Sequence, residues 1–226
     1  MSGRDLDGVR YSVEDGIGTV VLDRAPVNAF SMAMYQDMAR LFQRIAADAD
    51  VRAVILTSAS QRVFSGGADV KEMGSLDAEG KARFAAASAD ARARFRAIPV
   101  PVVAAITGKC VGAGLMYPAM CDYRVAADHA EFAMPEIDHG LLAGGGKDFM
   151  QIGMADGALR LMMFTGRRLS AQEGLRSHLV DEVVPADSVM DVARERAALI
   201  ASKSRDSLVQ MKQAINAADT TRANPR

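Results

Sequence analysis

The chain has 226 residues, half of them hydrophobic, enough to bury the core of one α/β domain. Its 27 basic and 28 acidic residues leave a net charge of −1, which argues against a general nucleic-acid or anionic-membrane surface. Met1 to Arg10 lacks the apolar centre of a secretory signal, and no later run is long enough to span a bilayer. Cys110 and Cys121 show no metal-ligand spacing and read as buried free thiols, so a reducing, cytoplasmic setting is expected. His129, His139 and His178 are dispersed and give no metal signature.

In chain order, Val9 to Glu14 and Ile17 to Leu22 are short strands joined by an Asp15-Gly16 hairpin turn. Ser31 offers an N-cap to a helix whose apolar stripe is Tyr35, Met38, Leu41, Phe42 and Ile45. Val51 to Thr57 reads as a buried strand. After it comes Phe64-Ser65-Gly66-Gly67-Ala68-Asp69-Val70, where two glycines permit a sharp turn. Ala68 and Asp69 are expected to open a helical turn with outward N–H groups. Such a turn can hold a phosphate or the oxyanion of a thioester becoming an enolate; it can also be a plain connection.

Asp77 to Ile98 reads as a long helix with Phe84, Ala91, Phe95 and Ile98 on one face, stopped by Pro99 and Pro101. Val102 to Ile106 is a buried strand, followed by a second glycine passage, Gly108-Lys109-Cys110-Val111-Gly112-Ala113-Gly114, leading into Leu115 to Cys121. Asp122 to Ala126 and Glu131 to Met134 read as strands, and Pro135 to Gly140 begins a loop that Gly144-Gly145-Gly146 makes flexible or tightly turned. Gly157 to Thr165 is helical and closed by Gly166, and Ser170 with Glu173 forms a capping box. Leu179 to Val184 reads as a strand, and helices follow at about 187–201 and 206–218, on which Val189, Val192, Ala198, Leu208, Met211 and Ile215 are expected as exposed apolar positions. With no repeat or linker, the partition is residues 1–185 as a core and 186–226 as a helical segment.

The two glycine turns occur in order with Cys121-Asp122-Tyr123-Arg124, Pro135-Glu136 and the run Phe164 to Ala171. Together they resemble the enoyl-CoA hydratase/isomerase (crotonase) family, from about residue 9 to residue 217. The resemblance implies an α/β fold with a core of repeated ββα units in a superhelix, and a helical C-terminal appendage that drives trimerisation. It implies an acyl-CoA thioester as ligand, no cofactor beyond its CoA moiety, and a homotrimer or dimer of trimers. By the same resemblance the thioester oxygen is held by the N–H groups of Ala68 and Ala113, with Gly67, Asp69, Gly112 and Met116 among the expected substrate-binding residues. Arg24 and Lys71 flank segments that resemble CoA-binding ones and are candidates for the CoA phosphates; a solvated role is open for each.

Family hydratases use two glutamates. Glu136 matches the second, but the first position, two residues after Gly114, holds Met116. A thioether transfers no proton, and its apolar bulk tends to exclude water, whether it is there as packing or to set specificity. One carboxylate suffices to move a proton from the α- to the γ-carbon of a 3-enoyl thioester, so isomerase chemistry with Glu136 as base is the favoured expectation. The alternatives are a hydratase or other lyase using Asp138 or His139 as a second group, and a non-catalytic acyl-CoA-binding protein. A shorter loop after Glu136 and fewer residues after the last helix than is usual in the family leave the acyl pocket's shape open.

Overall fold

The computed structural model describes residues 6–222, with side chains through residue 217. Asp15 and Gly16 both take positive φ, 51° and 77°, which closes the hairpin between β1 (Val9–Glu14) and β2 (Ile17–Leu22). The Ser31 side chain accepts from Met34 N and starts α1 (Met32–Ala47), whose buried face includes Met34, Tyr35, Met38, Leu41, Phe42 and Ile45. Burying each large apolar side chain stabilises the fold by about 1.5–3 kcal/mol, so this stripe fixes α1 on the core.

Three strand pairs follow, each with one strand in either of two sheets: β3 (Ala53–Ser58) and β4 (Val63–Ser65), then β5 (Val102–Ile106) and β6 (Lys109–Val111), then β7 (Tyr123–Ala127) and β8 (Glu131–Ala133). After the first pair come α2 (Val70–Ser75) and α3 (Ala78–Arg96), and after the second comes α4 (Ala113–Ala119). A 3-10 turn, Pro135–His139, then α5 (Gly146–Gln151) and α6 (Asp156–Thr165) follow the third. The chain closes with β9 (Leu169–Ser170), α7 (Ala171–Arg176), β10 (Glu182–Val184), α8 (Val189–Ala201) and α9 (Arg205–Arg222).

The larger sheet runs β1-β2-β3-β5-β7-β10, parallel except for the β1–β2 hairpin. The smaller runs β4-β6-β8-β9, and its first three strands are parallel neighbours. This is the repeated strand–strand–helix architecture that the resemblance implies. Because β4, β6 and β8 run side by side, the turns leaving their C-terminal ends meet at one edge of the small sheet. A knot of rings locks α1, α3 and α4 together: Tyr117 packs 5.4 Å from Phe30 and 5.3 Å from Phe95, both edge-on.

Several local expectations change. Asp69 is the N-cap of α2, while Ala68 stays extended in a parallel bridge with Phe30. Gly144 to Gly146 is tightly turned, and α5 starts at Gly146 itself. Only Glu182 to Val184 pairs as a strand, because the N–H groups of Leu179 and Val180 both turn back to Gly174 O. Val189, expected on an exposed helix face, is 1% exposed, since α8 packs against β3, β5 and β7. Met211 and Ile215 on α9 do stand exposed. Among the described residues no helix is long and apolar enough to cross a membrane.

Candidate active site

The turn after β4 is held from one side by residues 24–30. Gly66 N donates to Val27 O, Phe30 N to Gly67 O, and Asp69 N to Phe30 O. Gly67 N donates to Ser65 Oγ, which itself donates to Asn28 O. Asn28, 4% exposed, donates from Nδ2 to Ser58 Oγ and Phe64 O. Every N–H around Ala68 thus has an acceptor. Among the described residues that of Ala68 has none.

The turn after β6 repeats the device. Gly112 N donates to Ala133 O at 2.9 Å, and Gly112 caps α4 at φ +55° with no side-chain hydrogen bond. Ala113 is the first residue of α4, so its N–H lies beyond the reach of the helical ladder and has no protein acceptor among the described residues. Gly67 brings the two donors together. Its φ is +90°, and a Cβ there would lie 3.2 Å from Ala113 N and 2.8 Å from Val111 O. Only glycine allows that approach.

The turn after β8 carries the carboxylate. Glu136 sits in the 3-10 turn at the edge where the other two turns end, and a Cβ on Gly112 would meet Glu136 Oε1 at 2.9 Å. The Oε2 atom is buried without a hydrogen-bond partner. Burial pushes the Glu136 pKa up from its ordinary value, against the opposing pull of its own backbone N–H and of His139. A half-buried carboxylate with a raised pKa and a free oxygen is equipped to take a proton from a neighbouring carbon.

Met116 lies in α4, 6% exposed, with its thioether against Gly144 and Gly145. The structure therefore gathers Gly67, Ala68, Gly112, Ala113, Met116 and Glu136. The other candidates lie apart from that group. Asp69 accepts from Glu72 N and pairs with Arg24 at 3.0 Å; the Glu72 hydrogen bond is the largest cause holding its pKa below the usual value. Arg24 Nη1 also donates to Ala29 O, so Arg24 and Asp69 brace the first turn. Lys71 is exposed on α2 with no ion-pair partner among the described residues. Asp138 and His139 are exposed, and the Asp138 carboxylate leans on Gly166, where a Cβ would stand 2.7 Å from Oδ2.

Asn28 and Ser65 are the positioning residues that sequence reasoning missed. Nothing in their spacing distinguishes them from loop and strand residues; only their burial in a shared hydrogen-bond network does. Among the described residues no cluster of three metal-ligating side chains occurs.

The chain is similar to known proteins over most of its length. The profile of the Enoyl-CoA hydratase/isomerase family matches residues 12–226. A probable enoyl-CoA hydratase of Mycobacterium leprae is 34% identical over 88% of this chain and 77% of its own. The short-chain-enoyl-CoA hydratase of Clostridium acetobutylicum is 31% identical over 94% of this chain and 82% of its own. Among solved structures, the enoyl-CoA hydratase of Bacillus anthracis superposes with a TM-score of 0.88 at 29% identity, covering 93% of this chain and 83% of that one. DspI of Pseudomonas aeruginosa does so with a TM-score of 0.90 at 25% identity, covering 96% and 89%.

Proposed function

Because this chain belongs to the enoyl-CoA hydratase/isomerase family, we propose that it moves the double bond of a 3-enoyl-CoA into conjugation with the thioester. The observation that carries the reading is the pairing of one half-buried carboxylate, Glu136, with a buried apolar thioether, Met116, in the position where family hydratases bear a second carboxylate.

The thioester oxygen accepts from Ala68 N–H and Ala113 N–H. Glu136 removes a proton from the α-carbon, and the electron pair flows into the carbonyl to give an enolate. The same carboxyl then returns the proton to the γ-carbon as the enolate collapses. The β,γ double bond becomes α,β, and no atom is gained or lost. Two preset backbone donors need no reorganisation as charge builds on oxygen; each contributes about 10²–10³ in rate. A positioned base adds about 10²–10⁴.

The names of the relatives favour a second reading, enoyl-CoA hydration. It needs a group to hold water at the β-carbon. The two residues the sequence offers for that, Asp138 and His139, face solvent. Supplying 3-enoyl-CoA and 2-enoyl-CoA separately and analysing products tests both readings. The proposal expects 2-enoyl-CoA from the first and little 3-hydroxyacyl-CoA from the second. Rapid hydration of 2-enoyl-CoA selects the second reading, and binding without turnover of either selects a non-catalytic acyl-CoA-binding protein.

A further inference from the structure

Ser65, the last residue of β4, is fully buried, and its hydroxyl is used in both senses. Oγ donates to Asn28 O at 2.8 Å and accepts from Gly67 N at 3.1 Å, so its one hydrogen is committed to the loop and a lone pair faces the turn. Asn28 is itself anchored, because its Oδ1 accepts from Arg24 N and its Nδ2 donates to Ser58 Oγ and Phe64 O. Gly67 is thus held at both ends: its N–H by Ser65, and its carbonyl by Phe30 N. That carbonyl shares one planar peptide unit with the Ala68 N–H, which therefore points the opposite way. The far side of Ser65 meets the second turn. A Cβ on Gly114 would lie 2.7 Å from both Cβ and Oγ of Ser65 and 2.9 Å from its carbonyl oxygen. Gly114 follows Ala113, so the start of α4 rests directly on Ser65.

We propose that Ser65 is the positioning residue that sets the spacing between the Ala68 and Ala113 N–H groups, so that both reach one thioester oxygen. This rests on the acyl-CoA reading above. One side chain holds the neighbour of the first donor by a hydrogen bond and the neighbour of the second by contact. The strand ladder does not set that spacing unaided, because the β4–β6 pairing shifts register between Val63 and Ser65, just before the turns begin. Without the hydroxyl, Gly67 N–H loses its acceptor in a buried place, and the first turn must move to find another. The second turn, resting on the same residue, does not follow it. Donors preset for one oxygen are then set for none, and a misplacement of about 1 Å can cost about 10²-fold in rate.

The test uses butanoyl-CoA labelled with carbon-13 at the thioester carbonyl, a saturated ligand that neither double-bond migration nor hydration consumes. A carbonyl accepting two preset hydrogen bonds stretches at a lower frequency than in water, which infrared difference spectroscopy reads. In the wild type the bound stretch should lie below its aqueous value. Ser65→Ala should return it towards that value and lower kcat for the enoyl-CoA turned over about 10²-fold, with butanoyl-CoA affinity largely kept. Ser65→Cys, which keeps a weak donor and a weak acceptor, should fall between the two. A folded Ser65→Ala with the wild-type stretch or the wild-type kcat overturns the inference. So does one that loses affinity and turnover together while the stretch stays put. Should Ser65→Ala fail to fold, Ser65→Cys decides alone, and wild-type values there overturn it. A wild-type stretch no lower than in water overturns the assignment of the two donors and this inference with it. Failure to bind butanoyl-CoA overturns the acyl-CoA reading as well.

Discussion

The Glu136 carboxylate rests on the bare Cα of Gly112, so close that the first atom of any side chain at that position would lie 2.9 Å from Oε1. The carboxylate and the cap of α4 are therefore one packed unit. Their contact joins the turns after two neighbouring parallel strands, β6 and β8.

Gly112→Ala should therefore evict the carboxylate. The backbone at φ +55° disfavours a side chain, which adds strain of order 1–3 kcal/mol. Turnover should fall by about 10² or more, the loss expected of a misplaced base. Thermal unfolding and steady-state kinetics measured on the same preparation check this. A Gly112→Ala variant with wild-type kcat would contradict the contact.

The pH profile carries a sign. Burial raises the Glu136 pKa, and the base acts only when ionised, so kcat/KM should rise with pH through a midpoint above the ordinary 4.5 of a glutamate. The neighbouring His139 pulls that midpoint down, so His139→Gln should move it up. The same shift makes ionised Glu136 a cost to folding. Its contribution is most favourable below the ordinary pKa and is lost as pH rises through the folded value. Glu136→Gln should therefore gain stability relative to wild type as pH rises through that range, which urea titrations at several pH values can show.

The N–H of Ala68 has no protein acceptor among the described residues, while those of its neighbours Gly67 and Asp69 do. Ala68→Gly keeps it and should keep most activity. Ala68→Pro removes it, and because the bridge to Phe30 uses Gly67 O and Asp69 N instead, the turn retains its anchors. Turnover should drop about 10²–10³-fold. Circular dichroism should show a folded protein, and an active Ala68→Pro variant would contradict the oxyanion assignment.

The brace beneath that turn is also measurable. Asp69→Ala deletes both the cap of α2 and the partner of Arg24, and loss of such a cap costs about 0.5–2 kcal/mol. Asp69→Asn keeps a capping oxygen and should cost less. Denaturant unfolding of the two variants separates cap from charge. Equal losses would place the effect in the ion pair instead.

The α9 residues Met211 and Ile215 are 64% and 63% exposed, an apolar pair that a second copy of the chain would cover. Light scattering should report three or six times the 24.1 kDa of one chain. A monomer throughout the micromolar range would contradict this.

Much of this site is legible from residue types alone. Glycine-rich passages after buried strands mark both turns, and Pro135-Glu136 marks the carboxylate proposed as base. What sequence does not show is mostly contact between distant segments. Nothing in the run from Arg24 to Phe30 says that it will occupy the neighbouring N–H groups and leave Ala68 free. Nothing in Gly112 announces a carboxylate against its Cα. The Gly144-Gly145-Gly146 run reads equally as flexible or tightly turned, because glycine permits both. In the structure Met116 lies over Gly144 and Gly145, in the space their missing side chains leave, and Met163 lies beside Gly146. Val189 is misread for a related reason: the α8 pattern alone does not say that the sheet lies under that face.

The central claim is that one carboxylate does the proton transfer while a thioether keeps water away. The most direct measurement follows double-bond migration and hydration separately in the wild type, Glu136→Gln and Met116→Glu. The account predicts migration without appreciable hydration in the wild type. Glu136→Gln should lower migration about 10²–10⁴-fold with acyl-CoA affinity largely kept, and Met116→Glu should raise hydration. A wild type that hydrates 2-enoyl-CoA readily, or a Glu136→Gln variant that shifts the double bond as fast as its parent, would contradict it.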